Sequence, residues 1–144
     1  MRGEASRGPD ALSRRTDVSP KDARVARAHS FGRSAEREVV RHLQKAGAII
    51  VATNLRIGKL ELDVVAREGR TVVIVEVRAR GPGAWSRPFG SLVTQKRLRI
   101  RRAAQLLWRH RYRHDPTVDR IRIDAASVEI RDGKMVIEYV KAAF

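Results

Sequence analysis

The chain has 144 residues, no cysteine, and 31 Lys and Arg against 16 Asp and Glu, for a formal net charge of +15. That length holds one domain with a real core; the lack of cysteine excludes a disulfide framework or a thiolate metal site, and no apolar run approaches the roughly 20 residues of a membrane span. The start is charged and lacks the apolar stretch of a secretory signal, and Glu4, Asp10, Asp17 and Asp22 are foreign to a transit peptide, so a cytoplasmic location with no membrane partner is expected.

Residues 1–29 are rich in Arg, Ala, Ser and Asp and poor in large apolar side chains. Such a stretch buries too little surface to offset ordering, so it reads as a flexible basic arm ahead of a domain spanning residues 30–144. The first helix is expected from Ser30 or Phe31 to Ala46. Ala35, Val39, Leu43 and Ala46 fall on one helical stripe, and Gly47 supplies the stop. Glu36 lies about 60° from the middle of that stripe, at the edge of the buried face. By itself it reads as a first-turn acid favoured by the helix dipole. Ala48 to Ala52 is a short apolar run with the length of a buried strand, and Thr53-Asn54 is expected to turn the chain.

The next two runs form the centre of the sequence. Leu60-Glu61-Leu62-Asp63-Val64-Val65-Ala66 and Thr71-Val72-Val73-Ile74-Val75-Glu76-Val77-Arg78 read as a hairpin joined by Arg67-Glu68-Gly69-Arg70. Side chains alternate along a strand, so Glu61 and Asp63 share one face of the first strand, and Glu76 and Arg78 share one face of the second. A turn at Glu68-Gly69 sets Glu61 opposite Glu76 and Asp63 opposite Ile74. Three carboxylates and one Arg then stand on the same side of one sheet. Two readings remain open from these residues: a Mg²⁺ site held by carboxylates, waters and phosphate oxygens, or an ordinary solvated sheet face.

Gly81 to Gly90 reads as a loop carrying Trp85 and Phe89, beside the carboxylates and suited to substrate contact. Thr94 to about His110 reads as the second helix, with Thr94 as N-cap and Ile100, Ala103, Ala104, Leu107 and Trp108 facing inward. Lys96 lies about 40° from Ile100, so its ammonium is expected to point toward the sheet or its edge. Asp119–Ile130 and Met135–Val140 form a last hairpin across Asp132-Gly133, a strong turn pair. Asp124, within it, reads as structural.

Charge is concentrated. Val77 to His114 holds 11 Lys and Arg and no acid. A polyanionic partner, nucleic acid first, is the natural expectation. Arg80, Arg87, Arg97, Arg99, Arg101 and Arg102 are the candidate phosphate contacts, suited to positioning and not to base readout.

From Phe31 onward the chain resembles the YraN-like family of bacterial proteins, within the restriction-endonuclease-like, PD-(D/E)XK, superfamily. The resemblance is carried by Gly32-Arg33-Ser34-Ala35-Glu36, Leu60 to Ala66, Val75-Glu76-Val77-Arg78-Ala79-Arg80, Phe89-Gly90, Val93-Thr94-Gln95-Lys96-Arg97 and Ala142-Ala143-Phe144 in this order. It implies an α/β, restriction-endonuclease-like fold: a central mixed β-sheet flanked by α-helices, similar to Holliday-junction resolvases. It also implies Mg²⁺- or Mn²⁺-dependent phosphodiester hydrolysis, with DNA ahead of RNA, branched DNA among the substrates, and a homodimer by analogy. Glu36 matches the family's first-helix acid, Asp63 and Glu76 its metal-binding acids, and Glu61 the acid two residues before Asp63. The chain departs from the pattern with Ala35 and Leu60 where the family has Gly, and with Arg78 where it has a Lys. Arg cannot give up a proton at working pH, although it can clamp a phosphate bidentately. Lys96 is the candidate to supply the missing amine. The functional expectation is therefore a metal-dependent endonuclease acting through Glu36, Asp63, Glu76, Arg78 and Lys96, with Glu61 at the metal. The alternatives are a catalytically degenerate nucleic-acid-binding protein, or a basic adaptor for ribosomes or acidic proteins.

Overall fold

The computed structural model describes residues 19–81 and 94–144. The elements run α1 (Pro20–Lys45), β1 (Ile49–Ile57), β2 (Leu60–Glu68), β3 (Thr71–Arg80), α2 (Thr94–Leu107), β4 (Arg120–Arg131) and β5 (Lys134–Val140). A π-helical turn, Trp108–Tyr112, continues α2. The five strands form one sheet in the order β1-β2-β3-β4-β5. All neighbours are antiparallel except β3 and β4, which run parallel. The chain is thus an α/β domain with a central mixed sheet flanked by helices, as expected. Trp85, Arg87 and Phe89, and the first 18 residues of the expected arm, lie outside the described residues.

The helices cover opposite faces. Ala35, Val39 and Leu43 of α1 pack on Val64, Ala66, Val73, Val75, Ala126 and Val128. Ile100, Ala103, Ala104 and Leu107 of α2 pack on Val65, Val72 and Ile74. Central β3 is buried without a break from Thr71 to Glu76, because helices cover both its faces and strands both its edges. A carboxylate in such a strand is a costly choice, and Glu76 is only 4% exposed. Leu62 joins the α2-side cluster although Val64 joins the other, so strict alternation fails where pairing of β2 with β3 ends. No helix among the described residues is long and apolar enough to cross a membrane.

Four local expectations change. Helix α1 begins at Pro20, with Ser19 as N-cap accepting from the Lys21 N–H at 3.2 Å, so residues 20–29 are helical and not part of a flexible arm. Ala46 is the exposed C-cap of that helix and not part of its buried stripe. Thr53-Asn54 does not end β1. The strand continues to Ile57, with a register shift between Ile50 and Ala52, and Asn54 sits at φ 50°. The β2–β3 turn is Gly69-Arg70, with Glu68 opposite Thr71. Gly69, at φ 57°, takes the first central position, where a tight hairpin needs a left-handed residue. Val65 therefore faces Ile74, a displacement of two residues from the register of a Glu68-Gly69 turn.

Candidate functional site

That displacement decides which acids meet. Continued one step past Val64 and Val75, the register places Asp63, and not Glu61, opposite Glu76. An even displacement keeps side-chain faces unchanged, so all three acids still border one cleft. The cleft encloses about 450 Å³ and is lined by Lys59, Glu61, Asp63, Glu76, Lys96 and Arg99, with Leu60, Gln95 and Ile100 beside them.

Asp63 is anchored at the point where the strands separate. Its Oδ2 accepts the Val77 N–H at 2.8 Å, so the carboxylate takes a main-chain donor of β3 beyond the last ladder pair. Its pKa is pushed up to about 7, first by burial and then by the facing Glu76, against the Val77 N–H and Lys96. Two carboxylates on neighbouring strands cannot both ionise cheaply away from bulk water. Lys96, in the first turn of α2, makes an ion pair with Glu76 Oε1. The same buried oxygen receives no well-angled hydrogen bond among the described residues. The contact therefore supplies charge without satisfying the oxygen's directional demand.

The donor set fits a hard divalent cation of the Mg²⁺ class. It offers Asp63 and Glu76, with one oxygen of Glu76 unsatisfied, and Mg²⁺ is commonly held by one or two carboxylates with waters and phosphate completing the shell. No group of three or more His, Cys, Asp or Glu that could hold a metal occurs among the described residues. Glu61 stands at the rim, exposed, with Arg56 Nε at 3.8 Å from its carboxylate.

Glu36 goes elsewhere. Its Oε2 accepts from Asn54 Nδ2 at 3.1 Å, and it borders a separate depression with Arg33, Arg37 and Thr53. Its charge reaches Asp63 only as the weakest of that group's influences. Arg78 is half-buried on β3, and burial draws its pKa below the ordinary Arg value, with Arg80 and Arg97 adding to this and Glu76 opposing it. Arg97 stands over the Phe144 ring at 5.5 Å, Arg99 borders the carboxylate cleft, and Arg101 and Arg102 are exposed on α2. Arg80 is half-buried at the end of β3. Arg87 lies outside the described residues.

The structure thus gathers Glu61, Asp63, Glu76, Lys96 and Arg99 in one cleft and leaves Glu36 outside it. Sequence reasoning missed Lys59 and Gln95. Gln95 precedes Lys96 on α2, and Lys59 sits in the turn after β1, which only the full length of β1 reveals. It also missed Arg122, two residues before Asp124 on the same strand face. Arg122 pairs bidentately with Asp124 at 2.8 Å for each nitrogen, and its Nη2 also reaches Glu68 at 2.9 Å.

A model of uncharacterised protein family UPF0102 matches residues 35–128. A UPF0102 protein of Sorangium cellulosum is 45% identical over 132 residues, covering 90% of this chain and 92% of its own. A UPF0102 protein of Nocardia farcinica is 38% identical over 85% of this chain and 94% of its own. Among solved structures, Pyrococcus furiosus SfsA in complex with Ca²⁺ overlaps at a TM-score of 0.31 and 15% identity, covering 83% of this chain and 64% of that one. That overlap is too slight to carry anything across.

Proposed function

The chain belongs to uncharacterised protein family UPF0102, and from that premise and the geometry of the cleft we propose that it is a nucleic-acid-binding protein with a nuclease-like fold that hydrolyses phosphodiester bonds of DNA with Mg²⁺ or Mn²⁺. The observation that carries this reading is Asp63 set against Glu76, with Lys96 drawn onto Glu76, in a cleft bordered by Arg99.

Asp63 and Glu76 would hold the ion, with Glu61 at the rim of the same cleft. Such an ion supplies water of lowered pKa and counter-charge for a phosphate gaining negative charge. The Val77 N–H fixes one oxygen of Asp63, a residue that lines the cleft. Arg78 and Arg99 offer planar guanidinium groups for phosphate oxygens. Lys96 sets a compact ammonium beside Glu76, where Arg78 carries a broader planar guanidinium. Glu36 acts at most from a distance, through Asn54 and the end of β1. The basic surface of α2 binds the backbone of the strand.

A second reading is supported by the same ion pair. Lys96 already neutralises Glu76, so the domain is also what a nucleic-acid-binding protein with a silenced site would look like. The test offers linear, flapped and four-way-junction DNA, and RNA, with Mg²⁺ or Mn²⁺. Wild type is compared with Asp63→Ala, Lys96→Ala and Arg78→Lys. Cleavage by wild type, lost in Asp63→Ala and Lys96→Ala, is the expected result. Cleavage that appears only in Arg78→Lys establishes the silenced site. Binding that ignores salt rules out phosphate contact and leaves a basic adaptor.

A further inference from the structure

A second cleft, of about 970 Å³, opens on the α2 face of the sheet with a different lining. Its apolar floor is Trp108, Ile121, Ile123 and Phe144. Its rim carries Arg101, Gln105 and Arg109 from the helical side and Arg120 from β4. Nothing in the carboxylate site accounts for it.

Two features show that its aromatic walls are held in place. Trp108 opens the π-helical turn, closed by the Arg113 N–H to the Trp108 carbonyl at 2.8 Å, five residues back. Single π turns mark functional positions more often than chance, and this one leaves the indole half-buried at the cleft. Phe144 is placed by the buried Asp124. The Ala142 N–H donates to Asp124 Oδ1 at 2.9 Å while Ala142 takes φ 50°, and the Ala143 N–H donates to the Ile123 carbonyl at 2.9 Å.

Charge selects the occupant. Asp119, the acid at the rim, is already held by both Nε and Nη2 of Arg70 at 2.8 and 2.7 Å. Arg122 is taken up by Asp124 and Glu68. Arg101 and Arg109 have no ion-pair partner among the described residues. Arg101, Gln105 and Arg109 recur every four residues, a row about 12 Å long at the helical rise. Two cations with an amide between them, beside an aromatic floor, match a strand with phosphates along one edge and bases turned to the other.

We propose that this cleft binds one or two unpaired nucleotides of a single-stranded segment, with a base stacked on Trp108 and phosphates held by Arg101 and Arg109. The inference rests on the nucleic-acid part of the function proposed above and is independent of hydrolysis. A duplex cannot fill the cleft, because its bases already stack on one another. The cleft also lies close to the carboxylates. Ile123 pairs with Ile74, and Glu76 is two residues along the same strand face, about 8 Å away by strand geometry. The ligand class is therefore nucleic acid with an unpaired stretch that runs beside Asp63 and Glu76.

The test uses metal-free full-length protein carrying Trp85→Phe, so that Trp108 is the sole tryptophan. A ten-residue oligothymidylate, the matching blunt duplex and thymidine monophosphate are titrated in turn. Saturable quenching of Trp108 by the single strand is expected, with the duplex at least tenfold weaker and the mononucleotide without effect at the same concentration. Trp108→Leu should weaken binding of a labelled strand about fivefold or more, read by anisotropy. The surface pair Arg101→Ala/Arg109→Ala should reduce the salt slope by about 1.4, and it decides the matter if Trp108→Leu does not fold. Unchanged binding in that pair overturns the proposal, as does equal quenching by duplex. Quenching by the mononucleotide alone, or on concentrating the protein without ligand, overturns it in favour of a free-nucleotide site or self-association. Strand binding without cleavage counts only against hydrolysis. Cleavage lost in Asp63→Ala, beside strand binding untouched by Arg101→Ala/Arg109→Ala, counts only against this cleft.

Discussion

Asp63 and Asp124 stand on adjoining parts of one sheet and are treated in opposite ways. Asp124 is fully buried, and burial alone would raise its pKa. Two guanidinium nitrogens of Arg122, the Tyr139 hydroxyl at 2.7 Å and the Ala142 N–H outweigh that effect and hold the pKa below its ordinary value. Asp63 has one main-chain donor, a second acid across the strand gap, and a lysine that serves the other acid. Its pKa moves the other way, up to about 7. A chain able to satisfy Asp124 so completely leaves Asp63 and Glu76 short of partners, and that shortfall is the ground on which the second pair is proposed as a binding site.

The contrast can be broken from either side. The largest effect is expected at Asp124. Asp124→Ala removes the buried partner of Arg122 and of the Tyr139 hydroxyl and loosens the Ala142 turn, costing about 3–5 kcal/mol in a denaturant titration. A loss under 1 kcal/mol would mean that the network is ornamental. At Asp63 the sign reverses. Its raised pKa means that the folded state holds the proton more tightly than the unfolded chain. This contribution to stability is therefore largest at low pH, declines as pH rises from about 4 through about 7, and is flat above that. Asp124, with a lowered pKa, contributes stability at neutral pH that is lost as pH falls through its folded value. Asp63→Asn should accordingly stabilise the metal-free protein by about 1–2 kcal/mol at pH 8 and have little effect near pH 4. Thermal melts across that range check both limbs. Mg²⁺ should raise the wild-type melting temperature at pH 8 and leave Asp63→Asn unmoved.

A smaller effect is expected from Lys96→Ala, about 1 kcal/mol of destabilisation at pH 8 without metal, because the lysine is half exposed and its pair is partly screened. Magnesium should restore that loss in calorimetry, since the ion replaces the missing charge. Failure to do so would separate Lys96 from the metal question. The smallest change is Glu61→Gln. Its carboxylate lies 3.8 Å from Arg56 on an exposed rim, so stability should shift by less than about 0.5 kcal/mol.

Much of the carboxylate cleft was readable because alternation and the 100° helical step are local rules. They put Glu61, Asp63 and Glu76 on one face and turned Lys96 toward them. The partner of Glu76 was not readable, because Gly69 serves either of two turns and only the ladder shows it at the first central position. The choice changes partners by two and leaves faces intact, so the cluster survived the error. The early start of α1 was signalled by Ser19-Pro20, a cap and a first-turn proline, in a stretch whose lack of apolar residues drew the reading toward a flexible arm. Glu36 was placed at the edge of the buried face correctly, but angle alone does not choose between Asp63 and Asn54 as its neighbour. Of the partners of Asp124, Arg122 shares its strand face at a spacing of two, but Tyr139 and Ala142 come from across a hairpin, and no sequence period links those two to it. The π-helical turn at Trp108 has no pattern that hydrophobic spacing exposes.

The parallel pairing of β3 with β4 also divides the contacts of the site by their distance along the chain. Strands β1, β2 and β3 follow one another through short turns, so the two acids meet through contacts close in sequence. Lys96 arrives on α2, within the long crossover that must close before β4 can lie beside β3. The meeting of Asp63 and Glu76 is therefore local in sequence, whereas their counter-charge is placed by the crossover that joins β3 to β4. On the proposed reading, added Mg²⁺ should raise the refolding rate of the wild type and leave that of Asp63→Asn unchanged, a record of the site independent of any substrate.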